Sequence, residues 1–332
     1  MTPAPRVPLP GDGPGAAGAS VFRGVDHVGI GVGDMERALE FYGRRLGFTE
    51  VVFDHSGELP GLEELTHRQR RAARTVMLRH GNTTRLGPGR VKLVQVLDGD
   101  GSPPAPAGQQ YGEVGICEVC LHVHDVEAVH RRLVDELGCE PLMEPLSAVL
   151  APDDVPADLS YIGDPWRGKI ELIEWTGLQE TPPAQPRVEG VNHVAFGVSD
   201  MDATREFYAR LGFTELLFES HGFFDAMAPW YSTRPLPDQH FVLAHAAGGG
   251  AGIEPVRLSP PGPDCRGEWG HLGPMEFAVG VTDLDAAVSE LRATGVRFRS
   301  DVQAVDVGAG EWRYAYLEDP DGLYVSLVEE PS

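Results

Sequence analysis

The chain is poor in cysteine and in positive charge. Its four cysteines, Cys117, Cys120, Cys139 and Cys265, are too few in 332 residues for a disulfide framework. A reducing cytoplasm is therefore the expected location. Cys117 and Cys120 form a CxxC, yet no second CxxC or Cys/His pair follows at zinc spacing. An odd spacing on a predicted strand also places the two thiols on opposite faces, which argues against a shared metal. Lysine and arginine number 27 against 50 aspartates and glutamates, a formal net charge of -23. Such a surface repels nucleic acid and anionic membranes, so neither is expected as a partner. No apolar run approaches the roughly 20 residues of a membrane span. Residues 1–20 lack the charged-then-apolar order of a signal peptide and read as a disordered Pro/Gly/Ala tail.

What is abundant is repetition. Residues 25–48, VDHVGIGVGDMERALEFYGRRLGF, read as a strand, a turn and a helix. Val25, His27, Gly29 and Gly31 alternate with Asp26, Val28, Ile30 and Val32, the period of a strand. Asp34 is placed to cap the helix, Met35, Leu39, Tyr42 and Leu46 form its apolar stripe, and Gly47 closes it. Residues 191–213, VNHVAFGVSDMDATREFYARLGF, repeat nearly the same line. Fainter copies occupy residues 116–139 and 274–296, aligned on the capping residues Asp34, Asp125, Asp200 and Asp283. Seven residues ahead of each cap stands His27, Glu118, His193 or Glu276.

Each copy opens a module of strand, helix and three further strands, over residues 21–97, 113–175, 190–258 and 273–329. Pro/Gly-rich linkers at 98–112, 176–189 and 259–272 separate them. The polar insert at 54–74 and the aromatic one at 221–237, with Phe223, Phe224, Trp230 and Tyr231, are expected beside the cavities. One helix per module covers one face of a small bent sheet, so modules must pair to bury the other face.

The βαβββ module, its first-strand histidine and the closing DPxG-x-x-IEL strand resemble the vicinal oxygen chelate superfamily of glyoxalases, epimerases, extradiol dioxygenases and bleomycin resistance proteins. The resemblance spans residues 21–330. It implies an α+β fold of four βαβββ modules forming two glyoxalase-like domains with curved mixed sheets, at 21–178 and 190–330. It also implies that first and closing strands aim ligands at one divalent metal ion per active cavity (Zn, Mn, Fe, Co or Ni, with Zn or Mn favoured). The first-strand positions are His27, Glu118, His193 and Glu276, and the closing-strand positions are Lys92, Glu171, Glu254 and Ser326. Lysine and serine are poor ligands, and Pro255 weakens the strand assignment around Glu254. Metal ligands are therefore expected among His27, Glu118, Glu171, His193, Glu254 and Glu276.

Pairing in chain order is the simpler topology and gives His27, Glu118 and Glu171 in one cavity, with His193, Glu254 and Glu276 in the other. Pairing the inner modules with each other instead pools Glu118, Glu171, His193 and Glu254. Either set resembles the sites of metal-dependent isomerases and epimerases, which remove a proton alpha to a carbonyl as the metal steadies the enolate. A keto-cyclitol 2-epimerase of the valiolone type is the narrower expectation. The alternatives are an Fe(II) extradiol-type dioxygenase, suggested by Tyr-x-x-Asp-Pro at 161–165 and 316–320, and a drug-sequestering protein. Glu171, Glu254, His122 and Lys92 are the catalytic candidates, and His55 and Tyr161 the substrate contacts. A small carbonyl compound is the expected partner, and a homodimer the expected assembly.

Overall fold

A computed structural model describes residues 20–63, 65–66, 71–82, 86–175, 185–221 and 236–331. Most of the N-terminal tail, most of the second linker and the aromatic insert with Phe223, Phe224, Trp230 and Tyr231 lie outside the described residues.

Every module has the expected order. The first runs β1 (Phe22–Gly31), α1 (Met35–Ala38), β2 (Glu50–Glu58), β3 (Ala72–Arg79) and β4 (Arg90–Val96). The second runs β5 (Gly115–His124), α2 (Val126–Arg131), β6 (Glu140–Leu150), β7 (Val155–Gly163) and β8 (Lys169–Trp175). The third runs β9 (Arg187–Val198), α3 (Met201–Arg210), β10 (Phe213–His221), β11 (Leu236–His245) and β12 (Gly252–Ser259). The fourth runs β13 (Gly273–Val281), α4 (Leu284–Ala293), β14 (Gln303–Asp306), β15 (Glu311–Glu318) and β16 (Tyr324–Glu329). β2 and β3 extend into the expected 54–74 insert, which shortens it. Helices α1 and α2 widen into π-helical turns at Leu39–Arg45 and Arg132–Glu136.

The capping logic holds in all four copies. Asp34, Asp125, Asp200 and Asp283 each accept the backbone N–H three residues on, at 2.9–3.0 Å. Gly47 ends its helix at φ +88°, where a side chain would be strained.

The pairing departs from chain order. One eight-stranded sheet runs β14-β15-β16-β13-β1-β4-β3-β2, joining modules one and four. The other runs β10-β11-β12-β9-β5-β8-β7-β6, joining modules three and two. The first strands pair antiparallel at the centre of each sheet, β1 with β13 and β5 with β9. Each closing strand lies parallel to its own first strand. The four strands expected to carry ligands are thus the middle four of each sheet.

Chain-order neighbours meet through their helices instead. Tyr42, on the π-helical extension of α1, donates to Asp164 Oδ2 in the second module's DP-turn at 2.7 Å. Tyr208 of α3 makes the same bond to Asp319 of the fourth at 2.8 Å. Around them one apolar core draws on all four modules, with Phe196 of β9 stacked on Phe277 of β13 at 5.5 Å. The cavities open among smaller apolar clusters on the opposite sheet faces.

Candidate functional site

The inner sheet gathers Glu118 (β5), Glu171 (β8), His193 (β9) and Glu254 (β12), all buried. His193 Nε2 lies 3.0 Å from Glu254 Oε2, 3.4 Å from Glu171 Oε2 and 3.8 Å from Glu118 Oε1. The chain-order ligand sets are thereby corrected, since His27 and Glu276 belong to the other sheet. β12 runs unbroken through Pro255, which pairs with Phe196 of β9.

The electrostatics are those of a site short of positive charge. Burial pushes the Glu118 carboxyl well above its usual range, and the charges of Glu171 and Glu254 add to it. Burial raises Glu171 too, with His193 opposing. Glu254 is also buried, but His193 and His240 outweigh that and hold it ionised. Burial would lower His193, yet the carboxylates of Glu254 and Glu171 raise it. Among the described residues neither oxygen of Glu118 has a well-formed hydrogen bond. Three converging carboxylates, one with unsatisfied oxygens, fit a divalent cation. Glu118, His193 and Glu254 can offer one donor each to a single ion, as can Cys120, Glu171 and His193. His193 Nδ1 is bonded to Asn192 Oδ1 at 3.0 Å, which leaves Nε2 facing the site.

Three neighbours were not foreseen. His240 of β11 bonds Glu254 Oε1 through Nε2. Tyr111, assigned to a linker, comes within 3.0 Å of the same nitrogen. Cys120 stands opposite both Glu171 and His193 in the strand register. A register shift in β5 between Ile116 and Glu118 breaks the alternation expected of the CxxC. Cys117 and Cys120 consequently share one apolar cluster on the cavity side. Tyr161 lines the cavity as expected, its hydroxyl made harder to ionise by burial and by Glu118 and Glu171. His122 does not line it. That ring is buried, accepts the Trp175 N–H at 3.3 Å, and is pushed by burial down to about 4.

The outer sheet places His27, Lys92, Glu276 and Ser326 at the matching positions, and all but Glu276 line the outer cavity. Lys92 points inward as expected, but its ammonium pairs with Glu276 Oε1. Tyr316 and Trp269 donate to Glu276 Oε2 at 2.6 and 2.9 Å. Gly29, opposite Glu276 in the register, makes room, since a Cβ there would come within 2.3 Å of the glutamate. The Glu276 carboxylate is thus paired by the Lys92 charge at Oε1, which has no well-formed hydrogen bond, and by two donors at Oε2, and among the described residues His27 and Glu276 do not belong to a three-donor group. His55 lies within β2, half-buried, opposite Thr75, and does not line the cavity.

The two sites share one plan. Tyr111 and Trp269 each stand seven residues ahead of a first-strand glutamate and turn inward from a linker. In Tyr-x-x-Asp-Pro the tyrosine lies against the cavity glutamates, and the aspartate receives the helix tyrosine of the preceding module.

This fold and this arrangement of strands define the chain as a member of the glyoxalase/bleomycin resistance protein/dioxygenase superfamily, whose family models match residues 190–327, 26–154 and 119–230. Among curated proteins it is similar to a 2-epi-5-epi-valiolone epimerase of Actinomyces sp., with 31% identity over 167 residues, 44% of this chain and 82% of that one. Glyoxalase I from Zea mays shares the fold at a TM-score of 0.55 and 17% identity, over 93% of this chain and 92% of that one. A Bacillus subtilis protein described as a candidate dioxygenase does so at 0.57 and 15%, over 95% and 87%.

Proposed function

We propose that the inner cavity is the active site of a metal-dependent epimerase acting on the carbon alpha to the carbonyl of a small polyhydroxylated ring ketone. One observation carries this reading: Glu118, His193 and Glu254 converge in a buried pocket, and Glu118 has no well-formed hydrogen bond of its own. These three residues would hold a divalent ion. When bound, the ion supplies Lewis-acid stabilisation of the oxyanion that forms as the alpha C–H is broken. His240, braced by Tyr111, keeps Glu254 oriented and charged. Glu171 lies on the cavity wall, 3.4 Å from His193, and takes the proton, with inversion following when a proton is delivered to the opposite face of the enolate. Tyr161, whose hydroxyl is engaged by Glu118 and Glu171, lines the pocket, while Phe218, Val242 and Leu159 exclude water. The name of the Actinomyces relative points to a keto-cyclitol.

Incubation with 2-epi-5-epi-valiolone in D2O tests the reading. Deuterium entering the alpha carbon without oxygen uptake supports it, and no exchange by metal-loaded protein with this or related ring ketones refutes it.

A second reading rests on His240. With His193 and Glu254 it supplies two imidazoles and a carboxylate, the donor types of Fe(II) oxygenases. Oxygen consumption with catechols by the iron-loaded protein would establish it.

A further inference from the structure

We propose that the outer cavity is a metal-free binding site for a neutral phenol, in which the ring hydroxyl donates to His27 Nε2. Lys92, one of the chain's two lysines, stands at the closing-strand position that Glu254 holds in the inner sheet. Its ammonium offsets Glu276, so this site carries no charge deficit for an ion to fill.

His27 remains unsatisfied. It is 4% exposed, and among the described residues its Nε2 has no hydrogen-bond partner. The other ring nitrogen is fixed. Nδ1 lies 2.7 Å from Asp26 Oδ1, and Asp26 is paired with Arg90, which also reaches Glu330. Asp26 is held ionised, burial being outweighed by Arg90 and His27, so it can only accept. Nδ1 must donate, and Nε2 presents a lone pair to the cavity. A buried acceptor left open costs stability, and a ligand O–H removes that cost.

The walls select the remainder of the ligand. Phe53, Leu62, Met77, Trp312, Tyr314 and Val328 surround the floor with apolar and aromatic surface. Such walls suit a flat ring. An anion is disfavoured, because Glu276 already occupies Lys92 and a buried carboxylate would enter unpaired.

The full-length protein, stripped of metal by chelator, would be titrated calorimetrically with 4-bromophenol, bromobenzene and 4-bromobenzoate. The expected result is about one 4-bromophenol per chain, bound on the order of tenfold tighter than either comparator. His27→Leu should abolish the preference over bromobenzene. Crystals of the unsubstituted protein grown with 4-bromophenol locate the ring independently of any variant. The bromine's anomalous signal should fall between Trp312 and Met77, with the oxygen at His27. Equal affinity for bromobenzene, or bromine in the inner cavity or in neither, overturns the proposal.

Discussion

Lys92 forms an ion pair with Glu276 across the centre of the outer sheet, where the inner sheet sets the two acidic side chains Glu254 and Glu118. Two differences separate the outer cavity from the inner one, Lys92 in place of Glu254 and Ser326 in place of Glu171. Metal content should follow. The protein loaded with Zn or Mn and desalted should carry about one ion per chain, and Glu118→Gln about none. Lys92→Glu combined with Ser326→Glu should raise the count to about two. Elemental analysis of each variant decides it, and two ions in the unsubstituted protein would contradict the assignment.

The division of labour among the inner glutamates predicts a split between binding and chemistry. Glu171→Gln should keep the ion yet slow solvent deuterium exchange into a ring ketone by about 10²–10⁴-fold. Glu118→Gln should lose both. Parallel loss of metal in the two variants would show that Glu171 is a ligand with no separate role.

Asp164 should make stability depend on pH. Burial pushes its carboxyl up to about 6, although bonds from Tyr42, Gly168 and Trp166 oppose the rise. Below the unfolded value of 3.8 both states hold the proton and the contribution is whole. Between 3.8 and about 6 only the folded state keeps it, so stability is lost as pH rises through that window. The loss should approach about 3 kcal/mol at neutral pH. Denaturant melts of the parent and Asp164→Asn from pH 4 to 7 should diverge by that amount, and parallel curves would sink the prediction.

Tyr42→Phe and Tyr208→Phe each remove one buried bond between chain-order modules. Each should cost about 1–2 kcal/mol, and the double variant should cost their sum, because the two bonds share no partner. Chemical denaturation measures all three.

Much of this was legible in the sequence because it repeats at fixed offsets. Four capping aspartates, the closing Gly47 and the first-strand His or Glu are local features, each tied to one backbone geometry. The pairing of modules was not legible. Every module presents the same kind of first-strand edge, so hydrophobic periodicity cannot say which edge meets which. His240 was missed because it has no counterpart: in the outer sheet its register position is held by Thr75. Tyr111 and Trp269 were hidden by composition, since both stand in Pro/Gly-rich stretches that read as spacers. The seven-residue offset shared with the glutamates was the available signal.

The nesting of one sheet's modules inside the other's sets an order of assembly during synthesis. Every strand of the inner sheet has been made once β12 ends at Ser259, while β1 must wait for β13, more than 240 residues behind it, and the outer sheet for β16. On the ribosome the first module therefore stands with an open sheet edge for most of translation, and the inner pocket can close before the outer one has a second wall.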